Sequence, residues 1–370
     1  MQYFRELLKN IDLLLLAILV IFAVISVTTI ASTAYDEGFV FERSMKIQIF
    51  AYCLGLIFLM LILLVDYMSL EGFGKYIYAG SILLLLAVYI PGIGLEQYGS
   101  RGWLDFGLVH LQPAEIVKIT FAIAYAEFLS RRRETLSTLK GFLVAGALLI
   151  PFVFIIAMLQ NDLGNAIVIC VMAAIMLFVA GADGKLYAKI AGAAVLLMPA
   201  SYFLMAEHQK VRIDAFLHPN DPNLPGFYQV WHSKIAIGSG GISGKGLFQG
   251  TQKELEFLPV RDSDFIYSVI VEEWGFFGGM LIIALYALFL YRMYRIAKNA
   301  KNLYGSLIVV GILSMFFFQI FENIGMTMGI MPVTGITLPF ISAGGSSIIT
   351  NMMAIGLVLN ICIRSKVINF

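Results

Sequence analysis

In a chain with 60% hydrophobic residues, carboxylates that interrupt apolar runs are the first candidates for chemistry. The stretch FLPVRDSDFIYSVIVEEWGFFGG, residues 257–279, sets Asp264 just before a long apolar run and Glu272 and Glu273 inside it. At that border a carboxylate can cap a helix by accepting N–H bonds from its first turn. Capping alone would explain the carboxylate, and the residues by themselves favour that reading over a chemical role. The two glutamates follow about 12 to 13.5 Å further along a helix that rises 1.5 Å per residue. At that depth at least one of them must be paired or hydrated.

Three other stretches carry similar choices. In LQPAEIVKITFA, residues 111–122, Pro113 suits a helix first turn. Glu115 and Lys118 are then neighbours on one helix face, either as a structural ion pair or facing a wet cavity. In QNDLGN, residues 160–165, Asp162 can cap the helix that follows or face the same cavity. GSGGISGKG, residues 238–246, invites comparison with a phosphate loop, but Ser239 and Gly246 stand where that pattern needs glycine and then serine or threonine. What remains is a set of turns around an interfacial helix, or a nest of amides that lines a diphosphate site with Lys245.

The elements that hold these residues must be membrane helices. Mean hydropathy is +0.87 and only 13% of residues are charged, which places the chain outside soluble composition. Apolar runs approach the roughly 20 residues that cross a bilayer, and barrel-type alternation is absent. The expected fold is all-α: one polytopic domain over residues 1–370 with ten spans at about 11–32, 46–66, 73–91, 113–130, 141–159, 163–181, 186–206, 265–290, 304–326 and 344–363. Basic residues set the orientation. Arg131, Arg132, Arg133 and Lys140 follow the fourth span and Arg292, Arg295, Lys298 and Lys301 the eighth, against Arg43, Lys46 and Arg101 in the short loops of the other side. The positive-inside rule then makes both termini cytoplasmic. Residues 207–263 form a large extracytoplasmic loop, long enough to carry function, and YQVWHSKIAIGSGG within it reads as a short interfacial helix.

A formal net charge of +1 gives no field for steering nucleic acid. Cys53, Cys170 and Cys362 lie singly in apolar runs, so they read as buried small hydrophobes rather than as a disulfide or zinc framework. No repeat of 20 to 50 residues supports a transporter built from duplicated halves.

Taken together, the motifs resemble the SEDS family of bacterial cell-wall proteins, which includes RodA, FtsW and SpoVE. The resemblance rests on SRGWLDFG (100–107), QPAEIVK (112–118), QNDLGNA (160–166), HSKIAIGSGGISGKG (232–246), GTQKELEFLPVRDSDFI (250–266), EEWGFFGG (272–279) and MPVTGITLPFISAGGSS (331–347). The wording around 250–259 looks like the RodA branch. The resemblance implies a peptidoglycan glycosyltransferase of the bacterial plasma membrane that polymerises lipid II during elongation with a class B penicillin-binding protein. It also implies that the family's essential aspartate is Asp264. Here Ser263 replaces the usual threonine, Asp262 the usual histidine or glutamine, Ala343 the usual tyrosine and His232 the usual glutamine. The Asp262 charge should raise the Asp264 pKa.

On this reading Asp264 is the catalytic base. Arg101, Lys118, Lys245 and Arg261 are expected to neutralise diphosphates, and Trp103, Gln112, Glu115, Asp162 and Lys234 complete the substrate-binding set. A divalent cation, Mg2+ or Mn2+, is a further expectation, with Asp162 and Asp264 as its candidate ligands. Spans eight and nine, with Phe316, Phe317 and Phe318, would receive the partner's single span. Rival readings are a flippase for the lipid-linked precursor and a scaffold that only recruits the penicillin-binding protein.

Overall fold

The structure is a computed structural model and describes residues 10–33, 43–97, 99–105, 107, 110–203, 207–219, 221–224, 226–251, 258 and 260–366. Each of the ten predicted spans carries a helix. They are α1 (Leu13–Thr33), α2 (Arg43–Leu64), α3 (Gly74–Leu86), α4 (Pro113–Arg131), α5 (Leu139–Leu159), α6 (Leu163–Val179) and α7 (Gly184–Tyr202). After α8 (Glu207–Leu217) and α9 (Phe227–Ser239) in the long connection come α10 (Ile266–Lys298), α11 (Leu303–Thr327) and α12 (Gly345–Lys366). Among the described residues, six of these helices (α1, α2, α5, α10, α11 and α12) are long and apolar enough to cross a bilayer. The regions of α3 and α6 form shorter apolar helices, and α4 carries Glu115, Lys118 and Glu127. The chain is an all-α polytopic membrane protein.

Lipid is as apolar as leucine, so membrane helices associate through close packing rather than hydrophobic burial. The α2–α12 crossing follows this rule: a Cβ on Gly55 would lie 2.9 Å from the Met352 side chain, and one on Gly356 would lie 3.1 Å from Leu59 Cα. Helix α11 sits centrally, packed on α4, α6 and α10. Phe316 of α11 joins Phe22, Phe289 and Phe340 in a buried aromatic cluster. It therefore faces the core and not a partner, while Phe317 and Phe321 stack on the exposed face. The cysteines also depart from expectation. Only Cys362 is buried, and Cys53 and Cys170 are exposed on their helices. In a bilayer an apolar residue gains nothing by hiding from lipid, so hydrophobic sequence does not imply burial.

Ion pairs tie the helices together at one end. Arg292 Nε donates to Asp12 at 3.0 Å, and Arg364 Nη1 donates to Asp66 at 3.1 Å. Glu127 near the end of α4 accepts N–H bonds from Gly72 and Gly74 at the start of α3, while also pairing with Arg131. By the direction of the helices, the opposite end carries the long α7–α10 connection and a feature absent from the sequence reading, a three-stranded antiparallel sheet. Its strands are β1 (Gly94–Gln97), β2 (Ser100–Asp105) and β3 (His110–Leu111), with Leu95 opposite Trp103 and Leu104 opposite Leu111. Arg101 N donates to Gln160 O at the end of α5, which docks the sheet on the bundle.

Candidate active site

The sheet, the starts of α2, α4, α6 and α10, helices α8 and α9, and the segment 329–349 surround a cavity of about 1210 Å3. Three predicted stretches meet there. Pro113 opens α4 as expected, and Gln112 before it donates its backbone N–H to Ser346 Oγ. Glu115 accepts from Lys118 Nζ at 2.7 Å, and Lys118, fully buried, also donates to Asn165 Oδ1 at 3.1 Å. The second oxygen of Glu115 has no hydrogen-bond partner among the described residues, although the side chain lines the cavity. Asp162 fulfils both readings offered for it. It caps α6 through Asn165 N at 3.0 Å, accepts from Gln112 Nε2 at 3.0 Å and Asn165 Nδ2 at 2.8 Å, and lines the cavity.

Asp264 does not cap α10. Phe265 occupies the cap position without a side-chain bond, and Asp264 lines the cavity instead. Its Oδ1 accepts from Ser263 Oγ at 2.9 Å, and the described residues give Oδ2 no hydrogen bond. Its backbone is braced from two sides. Asn323 Nδ2 of α11 donates to Asp264 O at 3.0 Å and to Ile336 O at 2.8 Å. From the segment before α12, Ser342 Oγ donates to Ser263 O at 2.5 Å and Ala343 N donates to Asp262 O at 2.8 Å. Burial raises the Asp264 pKa above the usual carboxylate range; the Ser263 hydrogen bond and Arg212 oppose this, and Asp262 adds to it. The expected Asp262 effect is present, but burial outweighs it: the carboxyl meets the cavity yet is walled by protein.

Trp103, Gln112, Glu115, Asp162, Lys234 and Asp264 therefore converge on one cavity. Four predicted cations do not line it. Arg101 is exposed, with its guanidinium 5.1 Å from the Tyr89 ring centroid. Lys118 lies behind Glu115, Arg261 is outside the lining, and Lys245 pairs with Glu272 at 2.7 Å. Among the described residues, the cations that do line the cavity are Arg43, Arg212 and Lys234. Sequence reasoning missed the first two, because they looked like any other loop charges until the chain crossed itself.

The glycine-rich segment forms turns directly after α9, as one reading had it, and takes on a role that neither reading gave it. Helix α10 is broken at Gly275, with φ 70° and ψ −166°, and residues 240–246 fill the gap. Lys245 N and Gly246 N donate to Glu272 O and Glu273 O at 3.0 Å each, and Phe276 N donates to Gly241 O at 2.9 Å. The loop amides thus satisfy backbone groups that the break frees, and none of those bonded is left for a diphosphate. Glycine is needed because a Cβ on Gly240 or Gly244 would lie 2.1 Å from Val271 O or Glu273 O respectively. The two buried carboxylates are both engaged: Glu272 accepts from Lys245, and Glu273 accepts from Ser32.

Among the described residues no group of three acidic, histidine or cysteine side chains gathers to hold a metal ion. Asp162 already accepts three hydrogen bonds, so its oxygens are aimed at N–H groups rather than held open for a cation. These carboxylates do not by themselves make a metal centre. What the cavity can do is place a partly desolvated carboxylate opposite several cations, the arrangement that proton abstraction from a hydroxyl beside an anionic leaving group requires.

The FtsW/RodA/SpoVE family model, described as cell cycle protein, matches residues 6–367. The stage V sporulation protein E of Bacillus subtilis is 38% identical over 360 residues, covering 97% of both chains. The peptidoglycan glycosyltransferase MrdB of Escherichia coli K12 is 35% identical over 365 residues, covering 97% of this chain and 95% of that one. A chain solved in work on the structural coordination of polymerization and crosslinking by a peptidoglycan synthase complex superposes with a TM-score of 0.82 and 28% identity, over 96% of this chain and 99% of that one. These relatives come from different branches, so the similarity does not single out RodA. Matched from residue 6 to residue 367, the chain belongs to the FtsW/RodA/SpoVE family, the SEDS family whose motifs it carries.

Proposed function

We propose that the chain is a peptidoglycan glycosyltransferase that polymerises lipid II into glycan strands during cell elongation. Its membership of the family and its likeness to a peptidoglycan glycosyltransferase support the activity. One observation carries the chemistry: Asp264 leaves the helix start uncapped and turns its carboxyl into a cavity of about 1210 Å3 shared with Glu115, Asp162 and Lys234. The carboxylate takes the proton from the acceptor C4 hydroxyl, contributing on the order of 10²- to 10⁴-fold as general base. The oxygen attacks the donor's anomeric carbon, the polyprenyl diphosphate departs, and direct displacement turns an α-linked donor into a β-linkage. No step is assigned to the divalent cation, since among the described residues no third acidic, histidine or cysteine side chain joins Asp162 or Asp264 in a metal-holding group.

Ile47 and Phe50 of α2 are exposed apolar side chains in the cavity lining, which suits a lipid tail that stays in the bilayer while its sugars reach Asp264. Orientation follows from charge: the end opposite the cavity holds the basic clusters and is assigned to the cytoplasm with both termini. A class B penicillin-binding protein is the proposed partner, its span lying on the exposed faces of α10 and α11 around Phe276, Phe277, Phe317 and Phe321.

Reconstitution of the purified chain with lipid II, Mg2+ or Mn2+ and its penicillin-binding partner tests the activity. Glycan ladders that vanish in Asp264→Ala and Asp264→Asn, with melting temperature intact, support the base; full activity in both overturns it. Depletion in cells tests the role, since rounding marks elongation and filamentation marks division.

A further inference from the structure

Glycosyl transfer from a diphosphate needs a base for the incoming hydroxyl and a cation for the departing phosphate. The departing oxygen is bonded directly to the anomeric carbon that the acceptor attacks, so its cation must lie close to the base. Of the three cations that line the cavity among the described residues, Arg212 on α8 meets that condition. Its Nη1 donates to Thr334 O at 3.3 Å. The next residue, Gly335, sits against the base: a Cβ there would lie 3.6 Å from Asp264 Oδ2. Guanidinium and carboxylate thus flank the same dipeptide.

That dipeptide is held rigidly. Thr334 Oγ1 donates to Glu322 Oε1 at 2.9 Å, and the adjacent Asn323 joins Asp264 O to Ile336 O. One turn of α11 therefore fixes both the base and the acceptor on which the guanidinium rests. Gly335, with φ 77°, leaves open the space between them that a side chain would narrow. Arg43, at the start of α2, and Lys234, whose ammonium lies beside Gly329, have no such tie to Asp264.

We infer that Arg212 is the catalytic cation for the leaving diphosphate. This rests on the glycosyltransferase reading with Asp264 as base. As the acceptor O4–C1 bond forms, the bond from C1 to the phosphate oxygen breaks and its electron pair stays on that oxygen. The O4 proton passes to Asp264, the diphosphate gains one negative charge, and the Arg212 guanidinium, protonated throughout, neutralises it. One of its donors is engaged by Thr334, and a planar fork with further N–H groups suits phosphate oxygens.

The test is turnover of purified lipid II by the full chain with its partner. Arg212→Ala should lower kcat by about 10²-fold with a smaller change in KM. Arg212→Lys should keep part of the rate, and added guanidinium chloride should restore part of it to Arg212→Ala but none to Asp264→Ala. An Arg212→Ala enzyme with wild-type kcat overturns the inference. So does an Arg212→Lys enzyme no more active than Arg212→Ala, both with a lowered melting temperature and no response to guanidinium, which marks a structural residue. Asp264→Asn separates the two ideas: if it and Arg212→Ala both keep wild-type turnover, the Asp264 reading itself falls, whereas wild-type turnover in Arg212→Ala alone removes only the cation.

Discussion

Lys245 meets Glu272 at 2.7 Å across the break in α10, so the charge of a nearly inaccessible carboxylate is neutralised by the same loop that caps the broken helix. Removing one partner of a buried pair leaves the other charge uncompensated, at about 3 to 5 kcal/mol. Lys245→Met should therefore lower the melting temperature sharply. Lys245→Met combined with Glu272→Gln should recover most of it, and a double variant no better than the single would refute the pairing as the source of the loss.

Gly238 at the end of α9 and Gly240 in the loop that fills the break are predicted to differ in tolerance. Gly238 has open space around its Cβ position, and Gly→Ala inside a helix stabilises by roughly 0.5 to 1 kcal/mol, so Gly238→Ala should be neutral or better. Gly240→Ala sets a methyl 2.1 Å from Val271 O and should destabilise strongly. Thermal melting in one detergent compares them directly.

Asp264 should impose an acid limb on the pH–rate profile above the ordinary carboxylate range, because burial disfavours its ionised form. Asp262→Asn removes a like charge and should shift that limb to lower pH. Stability carries the same sign. The folded state holds the proton to higher pH than the unfolded chain, so this group's contribution is present at low pH and fades as pH rises through the raised pKa. Asp264→Asn should thus melt above wild type at neutral pH, with the difference vanishing in acid.

Glu115 and Lys118 offer a separation of structure from chemistry. Either Glu115→Gln or Lys118→Met alone should destabilise by on the order of 3 kcal/mol. The double variant should regain melting temperature yet stay slow with lipid II, because the unpartnered Glu115 oxygen faces the cavity. Full recovery of turnover would reduce the pair to a structural one.

Much of this protein is written locally. Ten apolar runs became ten helices because hydropathy and run length depend on neighbours in the chain. The Glu115–Lys118 contact and the Asp162 cap were legible for the same reason, since both lie within one helical turn. The β1–β3 sheet was not, because its pairing depends on loop ends brought together by α3 and α4. The motifs nominated Asp264, but only the fold showed that Phe265 stands at the cap position and that the carboxyl turns into a cavity. Sequence alone likewise could not sort the cations. Lys245 and Arg212 are both basic residues of one long connection, and tertiary structure sent one to a buried glutamate and the other to the cavity wall at Thr334. The physical reason is that a charge takes its partner from whatever segment crosses beside it. The break in α10 obeys the same logic: the hydrogen bonds that heal it come from residues about thirty positions earlier, a distance that no periodicity in the sequence records.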